Sequence, residues 1–163
     1  MSIRFLALLV LVATQAVQST PDSEDSRTPV PLLPMMAQHQ KENMREHLSV
    51  VQQIVAALAA NDFPKIAEAS NKIGYSDAEA MMCNHMGAAT PGFTEVAIRF
   101  HKTADTIGEA ARKKDRKGVI TALDATLQQC VGCHAVYRQK VVDEATWKKL
   151  TGMAAPMGGM HHH

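Results

Sequence analysis

The stretch Cys130-Val131-Gly132-Cys133-His134 has the spacing C-x-x-C-H. Two thiols at i and i+3 of a helix share one face, so each can form a thioether with one of the two vinyl groups of a haem. The adjacent histidine then supplies an imidazole to the iron. A thioredoxin-like redox pair would open a helix just after a strand, and a structural zinc site would need a second pair of ligands. The sequence shows neither, so the motif predicts one covalently attached haem c.

A long helix is predicted around this motif, from about residue 115 to 142, with Asp115 as its N-cap. Residues recur every seven positions in two interleaved sets, as at the a and d positions of a helical seam. The sets are Ile120, Leu127, His134 and Val141, and Leu123, Cys130 and Tyr137. We therefore expect Cys130 and His134 on the core-facing stripe, with the haem set into the bundle and its ligand pointing inward.

Three earlier segments have the apolar spacing of amphipathic helices. They cover about residues 37–60, 63–74 and 94–114, the second with Asp62 as N-cap, and residues 75–93 form a connection. A last short helix is expected over residues 143–150, with Trp147 folded against the body. Four helices with short connections predict an all-α fold, an antiparallel up-down-up-down four-helix bundle with haem c.

The N-terminal residues 1–19 have the features of a secretory signal peptide, which are a basic residue, a short apolar run and small residues at the exit. The run is too short to cross a bilayer, so we expect export to the periplasm without stable membrane insertion after cleavage. Residues 20–38 are predicted as a flexible linker, residues 39–150 as the four-helix cytochrome domain, and residues 151–163 as a flexible tail rich in Met and His.

Charge excludes one class of partner. The 163-residue chain has 17 basic and 16 acidic residues, and removal of the signal peptide takes Arg4 with it. The remaining chain is formally neutral, so no nucleic-acid partner is expected.

The C-terminal part of the predicted fourth helix resembles the cytochrome c-prime family, including its low-spin cytochrome c-556 branch. The stretch 129–138 carries the resemblance, because it has the C-x-x-C-H-x-x-Y-R ending of that family. The rest of residues 38–142 is compatible at the level of pattern. The resemblance implies that Cys130 and Cys133 hold the haem, that His134 is the proximal iron ligand, and that Tyr137 and Arg138 lie at the haem.

Two residues of the first helix are candidates for the sixth position of the iron. An up-down-up-down bundle brings the start of this helix to the haem end, where Met44 and His47 lie on its seam. A thioether on iron favours the reduced state, and Asn43-Met44 also resembles the place of the methionine ligand in the soluble four-helix b-type cytochrome. Core packing by Met44, ligation by His47 and an open sixth site are the alternatives.

Residues 81–86 depart from the family pattern and suggest copper. Soft sulfur and imidazole ligands suit Cu(I), and the segment contains Cys83 and His85 among several methionines. Similar ligands recur at Met35, Met36 and His39 and in the tail at Met160, His161, His162 and His163. The alternative is a loop that covers the haem edge with apolar sulfur. His101 is expected to be a surface or half-buried histidine without a special role.

Together these features predict a periplasmic electron carrier and not an enzyme, because no distal acid–base pair is legible. Its expected partners are periplasmic redox proteins and a second copy of the chain. A five-coordinate protein that binds NO or CO, and a copper-linked redox protein, are the alternatives from other classes.

Overall fold

The computed structural model describes residues 25–153. These residues form six helices and a two-stranded sheet, in the order β1 (Thr28–Leu32), α1 (Pro34–Ala59), α2 (Phe63–Asn71), α3 (Asp77–Gly87), α4 (Phe93–Arg112), α5 (Arg116–Val136), β2 (Tyr137–Val141) and α6 (Glu144–Thr151). The fold is mostly helical, as the sequence predicted. The predicted signal peptide and residues 154–163 of the predicted tail lie outside the described residues.

Side-chain caps explain where α2 and α5 begin. The carboxylate of Asp62 accepts a hydrogen bond from the backbone N–H of Lys65 at the start of α2, and Asp115 does the same for Gly118 at the start of α5. These satisfy backbone donors that the first turn leaves without a partner. Both predicted caps are therefore confirmed. Among residues 25–153, no helix combines the length and hydropathy needed to cross a bilayer.

The larger hydrophobic core lies among α1, α2, α4 and α5. Helix α5 packs against α4, α4 against α2, and α2 against α1, whereas the backbones of α1 and α5 are farther apart. A second cluster joins β1 and the start of α1 to α3, α4 and α6, and it buries Trp147 completely. The predicted short last helix, with Trp147 against the body, is therefore confirmed.

The heptad prediction for α5 is right for one set and wrong for the other. Leu123 is buried and Cys130 and Tyr137 are half-buried, but the set to which His134 belongs is exposed throughout, at Ile120, Leu127, His134 and Val141. The buried stripe follows the contact with α4 and consists of Val119, Ala122, Leu123 and Thr126. The expectation that His134 points into the core is thus wrong.

The segments before α1 and after α5 differ from the prediction. Residues 28–32, predicted as part of a linker, pair in parallel with β2, from Thr28 opposite Tyr137 to Leu32 opposite Val141. Val30, Pro31 and Leu32 of this strand are buried. Their burial compensates for the backbone N–H groups that the prolines lack, and an edge strand tolerates proline. Helix α5 consequently ends at Val136 and not near residue 142.

The predicted connection over residues 75–93 contains a helix, α3. The Ser76 hydroxyl accepts a hydrogen bond from the backbone N–H of Glu79, and the order Ser-x-x-Glu is itself the sequence signature of a helix start. Residues 81–86 are therefore helical, which fixes the directions of their side chains.

Candidate functional site

The last two turns of α5 carry the cysteines of the C-x-x-C-H motif. Cys130 and Cys133 are half-buried free thiols on one side of the helix, and Cys130 Sγ lies 3.5 Å from the carbonyl oxygen of Thr126. Burial raises the pKa of both thiols, and the proximity of Cys130 raises that of Cys133 further. Reactive redox cysteines instead have a lowered pKa, so these electrostatics do not favour a thioredoxin-like pair.

The backbone of His134 is held by the N-terminal segment. Its carbonyl oxygen accepts a hydrogen bond from Arg27 Nη1 at 3.1 Å, while its imidazole side is exposed. Arg27 also donates to the carboxylate of Asp25, whose pKa these hydrogen bonds lower to about 2. Arg138 Nε lies 3.8 Å from the same carboxylate. The residues after the motif are thus tied to a segment more than a hundred positions away, which no local sequence signal reveals.

Tyr137 and Arg138 belong to β2 and not to a helix. The Tyr137 hydroxyl donates to the carbonyl oxygen of Pro91 at 3.4 Å, and its ring meets that of Phe93 edge-on, with centroids 5.4 Å apart. Tyr137 therefore braces the end of α5 against the start of α4. The implied position of Tyr137 and Arg138 at the haem stays a prediction.

Helix α1 is tied near its end to α5 and near its start to β2, the strand that follows α5. At one end Arg116 Nη1 donates to the carbonyl oxygen of Leu58 at 2.8 Å, and at the other Gln139 Nε2 donates to that of Ala37 at 3.2 Å. Between these ties the backbones of α1 and α5 do not come close together. Both helices expose large apolar side chains, which are Met44, Leu48 and Val55 on α1 and Ile120, Leu127 and Val131 on α5. We call these six residues the open α1/α5 face.

The residues present fit a haem. Two thiols and an imidazole are the donor set that the group needs, and they lie on the helix whose apolar side is left uncovered. A Cβ added at Gly132 would meet nothing within 4 Å, so the motif itself borders open space. Large apolar side chains that a protein leaves exposed are typical of a binding surface.

Met44 and His47, the two candidates for the sixth iron position, lie in different surroundings. Met44 belongs to the open α1/α5 face and is 42% exposed. The half-buried ring of His47 stacks on Phe100, with centroids 4.7 Å apart, and lies 5.6 Å from the ring of His101. Burial, followed by the neighbouring His101, lowers the pKa of His47 to about 4. The sulfur is therefore on the uncovered side, and the imidazole is engaged with the core.

His101 corrects an expectation. It was predicted to be at the surface or half-buried, but it is buried, with Nδ1 2.9 Å from the carbonyl oxygen of Ile73 and Nε2 3.7 Å from the carboxylate of Glu79. It links the end of α2 to α3 and α4.

The copper candidates are not brought together as the sequence suggested. Cys83 and His85 are two positions apart on α3, and residues with that spacing do not face each other. Cys83 is buried, and this burial raises its pKa to about 11. Over residues 25–153 no group of three or more His, Cys, Asp or Glu side chains could hold a metal ion. Of the other candidates, Met35 is exposed and Met36 is buried in the second cluster.

Comparison of the chain with protein-family models, with curated proteins and with solved structures finds no match. The likeness to the c-prime family therefore rests on the stretch 129–138 and on the helical pattern. The residues that sequence reasoning missed are Arg27 and Gln139, which hold the ends of α1 and α5 through long-range contacts.

Proposed function

We propose that this protein is a periplasmic c-type cytochrome that transfers single electrons. In this proposal α1, α2, α4 and α5 form an antiparallel up-down-up-down bundle with one covalent haem c at the open α1/α5 face. The observation that carries it is a coincidence on one helix. The C-x-x-C-H motif lies at the end of the same helix that exposes the apolar side chains of Ile120, Leu127 and Val131.

Each residue of the site has a role in this proposal. Cys130 and Cys133 hold the haem through thioethers, and His134 supplies the proximal imidazole. When bound, the haem supplies the Fe(III)/Fe(II) couple. The apolar side chains of the open α1/α5 face exclude water from the group. Arg138 places a positive charge nearby, which stabilises the state with one more electron.

Met44 is the sixth ligand in this proposal. Its side chain is on the uncovered side of α1, whereas His47 would have to leave its stack on Phe100 to reach the open face. A thioether is a soft ligand that favours the reduced iron and so raises the potential of a carrier.

The second candidate function is binding of a small gas such as NO or CO. It is favoured by the same exposure of Met44, because a thioether at the surface can leave the sixth position open. The protein is not an enzyme in either case. Its partners are periplasmic redox proteins, which would approach the haem edge, and a second copy of the chain.

Covalent attachment is tested by mass spectrometry of the exported chain after denaturation. Wild type is expected to carry the mass of one haem. Cys130→Ala and Cys133→Ala should lose the covalent link at the substituted position, so that the double variant releases haem on denaturation. Cys83→Ala is the matched control and should keep it. A folded wild-type chain without covalent haem would overturn the proposal.

Absorption spectra then separate the two candidate functions. Ferric and ferrous spectra before and after addition of NO or CO should show a low-spin iron, a weak near-infrared sulfur-to-iron band and little gas uptake. The band should vanish in Met44→Ala and persist in His47→Ala. A high-spin spectrum with ready gas uptake in wild type would contradict electron transfer and support gas binding.

A further inference from the structure

A second set of soft ligands lies on α3, apart from the C-x-x-C-H motif. Met82, His85 and Met86 occupy positions i, i+3 and i+4, so they share one face of the helix. Met86 is buried, while Met82 and His85 are half-buried. Both methionines pack in the cluster that contains Trp147, and Cys83 is not part of that cluster.

Two polar atoms at this face have no hydrogen-bond partner among residues 25–153. His85 Nε2 and Trp147 Nε1 are both buried and make no hydrogen bond, and the two rings lie 5.1 Å apart between centroids. A buried polar atom without a partner costs free energy, and native proteins rarely leave one so. A metal ion bound to His85 Nε2 would remove this cost for the imidazole.

The chemistry of these residues selects the group. Thioether sulfur is neutral and soft and imidazole is intermediate, so the set suits Cu(I) better than a hard divalent ion. A single positive charge is also less costly to bury than two, and the face of an indole attracts a cation. We propose that Met82, His85 and Met86 bind one Cu(I) ion beside Trp147.

This site revises the copper hypothesis that the sequence suggested. It keeps His85, Met82 and Met86 of that set and leaves out Cys83, because the helix places the two methionines on the side of His85. It does not depend on haem attachment. Cys133 packs against the same cluster, so the ion would lie near the C-x-x-C-H motif.

The test is a Cu(I) titration of the full exported chain in competition with a colorimetric Cu(I) chelator. Any thiol left free at Cys130 or Cys133 is first alkylated, so that a chain lacking covalent haem can be tested equally well. Met82→Leu and Met86→Leu are each expected to weaken binding at least tenfold, and substitution of Met by Leu conserves volume. Met81→Leu is the matched control, since Met81 is 69% exposed, and it should bind as wild type does.

Cys83→Ser separates this site from a thiolate site and is expected to leave Cu(I) affinity unchanged. The terminal Met and His residues are the same in every variant, so their contribution cancels in the comparison. X-ray absorption at the copper edge should show sulfur and nitrogen scatterers, with one sulfur lost in Met86→Leu. Equal affinity of Met81→Leu, Met82→Leu and Met86→Leu, or loss of binding only in Cys83→Ser, would overturn the proposal.

Discussion

Helix α5 has two apolar sides with different surroundings. One side is buried against α4 and the larger core, at Val119, Ala122, Leu123 and Thr126. The other side is equally apolar in sequence but remains exposed, at Ile120, Leu127 and Val131. The C-x-x-C-H motif ends the same helix, with half-buried thiols and an exposed histidine.

The difference shows which part of the fold the chain stabilises by itself. Burial of apolar area contributes roughly 25 cal/mol per Å² to the free energy of folding. The side of α5 that faces α4 makes this contribution in the protein alone. The open side obtains it only when something else covers it. We infer that the stability of α5 is divided between a protein core and a cofactor, and this division can be measured.

The largest effect is expected when the same substitution is made at a buried and at an exposed leucine of α5. Leu123 is 8% exposed and Leu127, one turn later, is 40% exposed. In the haem-free chain Leu123→Ala should lower the free energy of unfolding by about 2–5 kcal/mol, because it leaves a cavity. Leu127→Ala should lower it by less than about 1 kcal/mol. Denaturant unfolding monitored by circular dichroism measures both values.

The haem-loaded chain sharpens this comparison. Covering Leu127 with the cofactor should bring the cost of Leu127→Ala to about 1–2 kcal/mol or more, while the cost of Leu123→Ala stays the same. If Leu127→Ala costs the same with and without haem, the open α1/α5 face is not where the cofactor packs.

Two glycines provide a second test of the closed and open regions. A Cβ at Gly108 on α4 would lie 2.6 Å from Ser70 Oγ, whereas one at Gly132 on α5 meets nothing within 4 Å. Gly108→Ala should therefore destabilise the haem-free chain by about 1–3 kcal/mol. Gly132→Ala should stabilise it by about 0.5–1 kcal/mol, since alanine favours a helix. Thermal unfolding of the two variants checks the opposite signs, and equal signs would contradict the difference in packing.

A pH effect is expected at the border between the two regions, where His47 packs against the core beside Met44. Burial and the neighbouring His101, itself near Glu79, lower the pKa of His47 to about 4, against about 6.5 in an unfolded chain. Between these pH values only the unfolded chain binds the proton, so stability falls as the pH falls from 6.5 to 4. The loss should be on the order of 1–2 kcal/mol, allowing for partial exposure.

His47→Phe is the control for this pH effect, because phenylalanine keeps the ring stacked on Phe100. Unfolding free energies measured from pH 7 to pH 4 should fall less steeply in this variant than in wild type. Equal slopes would show that His47 is already solvated and not held by the core.

Much of the helical core could be predicted from the sequence because its signals are local. The apolar periods of α1, α2 and α4 and the caps Asp62 and Asp115 predicted these helices to within a few residues. The helix α3 had a signal as well, in Ser76 and Glu79, which the many small and sulfur-containing residues of the segment obscured.

The rest depends on contacts that a sequence pattern does not contain. The pairing of β1 with β2 joins segments over a hundred positions apart, and no sequence signal near Pro29 or Pro31 predicts it. The phase of the buried stripe on α5 was missed for a related reason. A seven-residue repeat identifies an apolar helix but not which of two apolar sides meets a protein neighbour, and on α5 both sides are apolar.

The smallest effect is expected where the exposed end of α5 is tied to the N-terminal segment. Arg27→Ala removes the hydrogen bond to the carbonyl oxygen of His134, and because both groups are at the surface, global stability should not change measurably. Hydrogen exchange of the backbone amides from Tyr137 onward in β2 should nevertheless become faster, since local opening there no longer has to break this contact. Asp25→Asn keeps Arg27 and should accelerate exchange less. If Arg27→Ala leaves exchange in β2 unchanged, the backbone pairing of β1 with β2 is sufficient to hold the end of α5. The hydrogen bond from Arg27 would then contribute nothing to it.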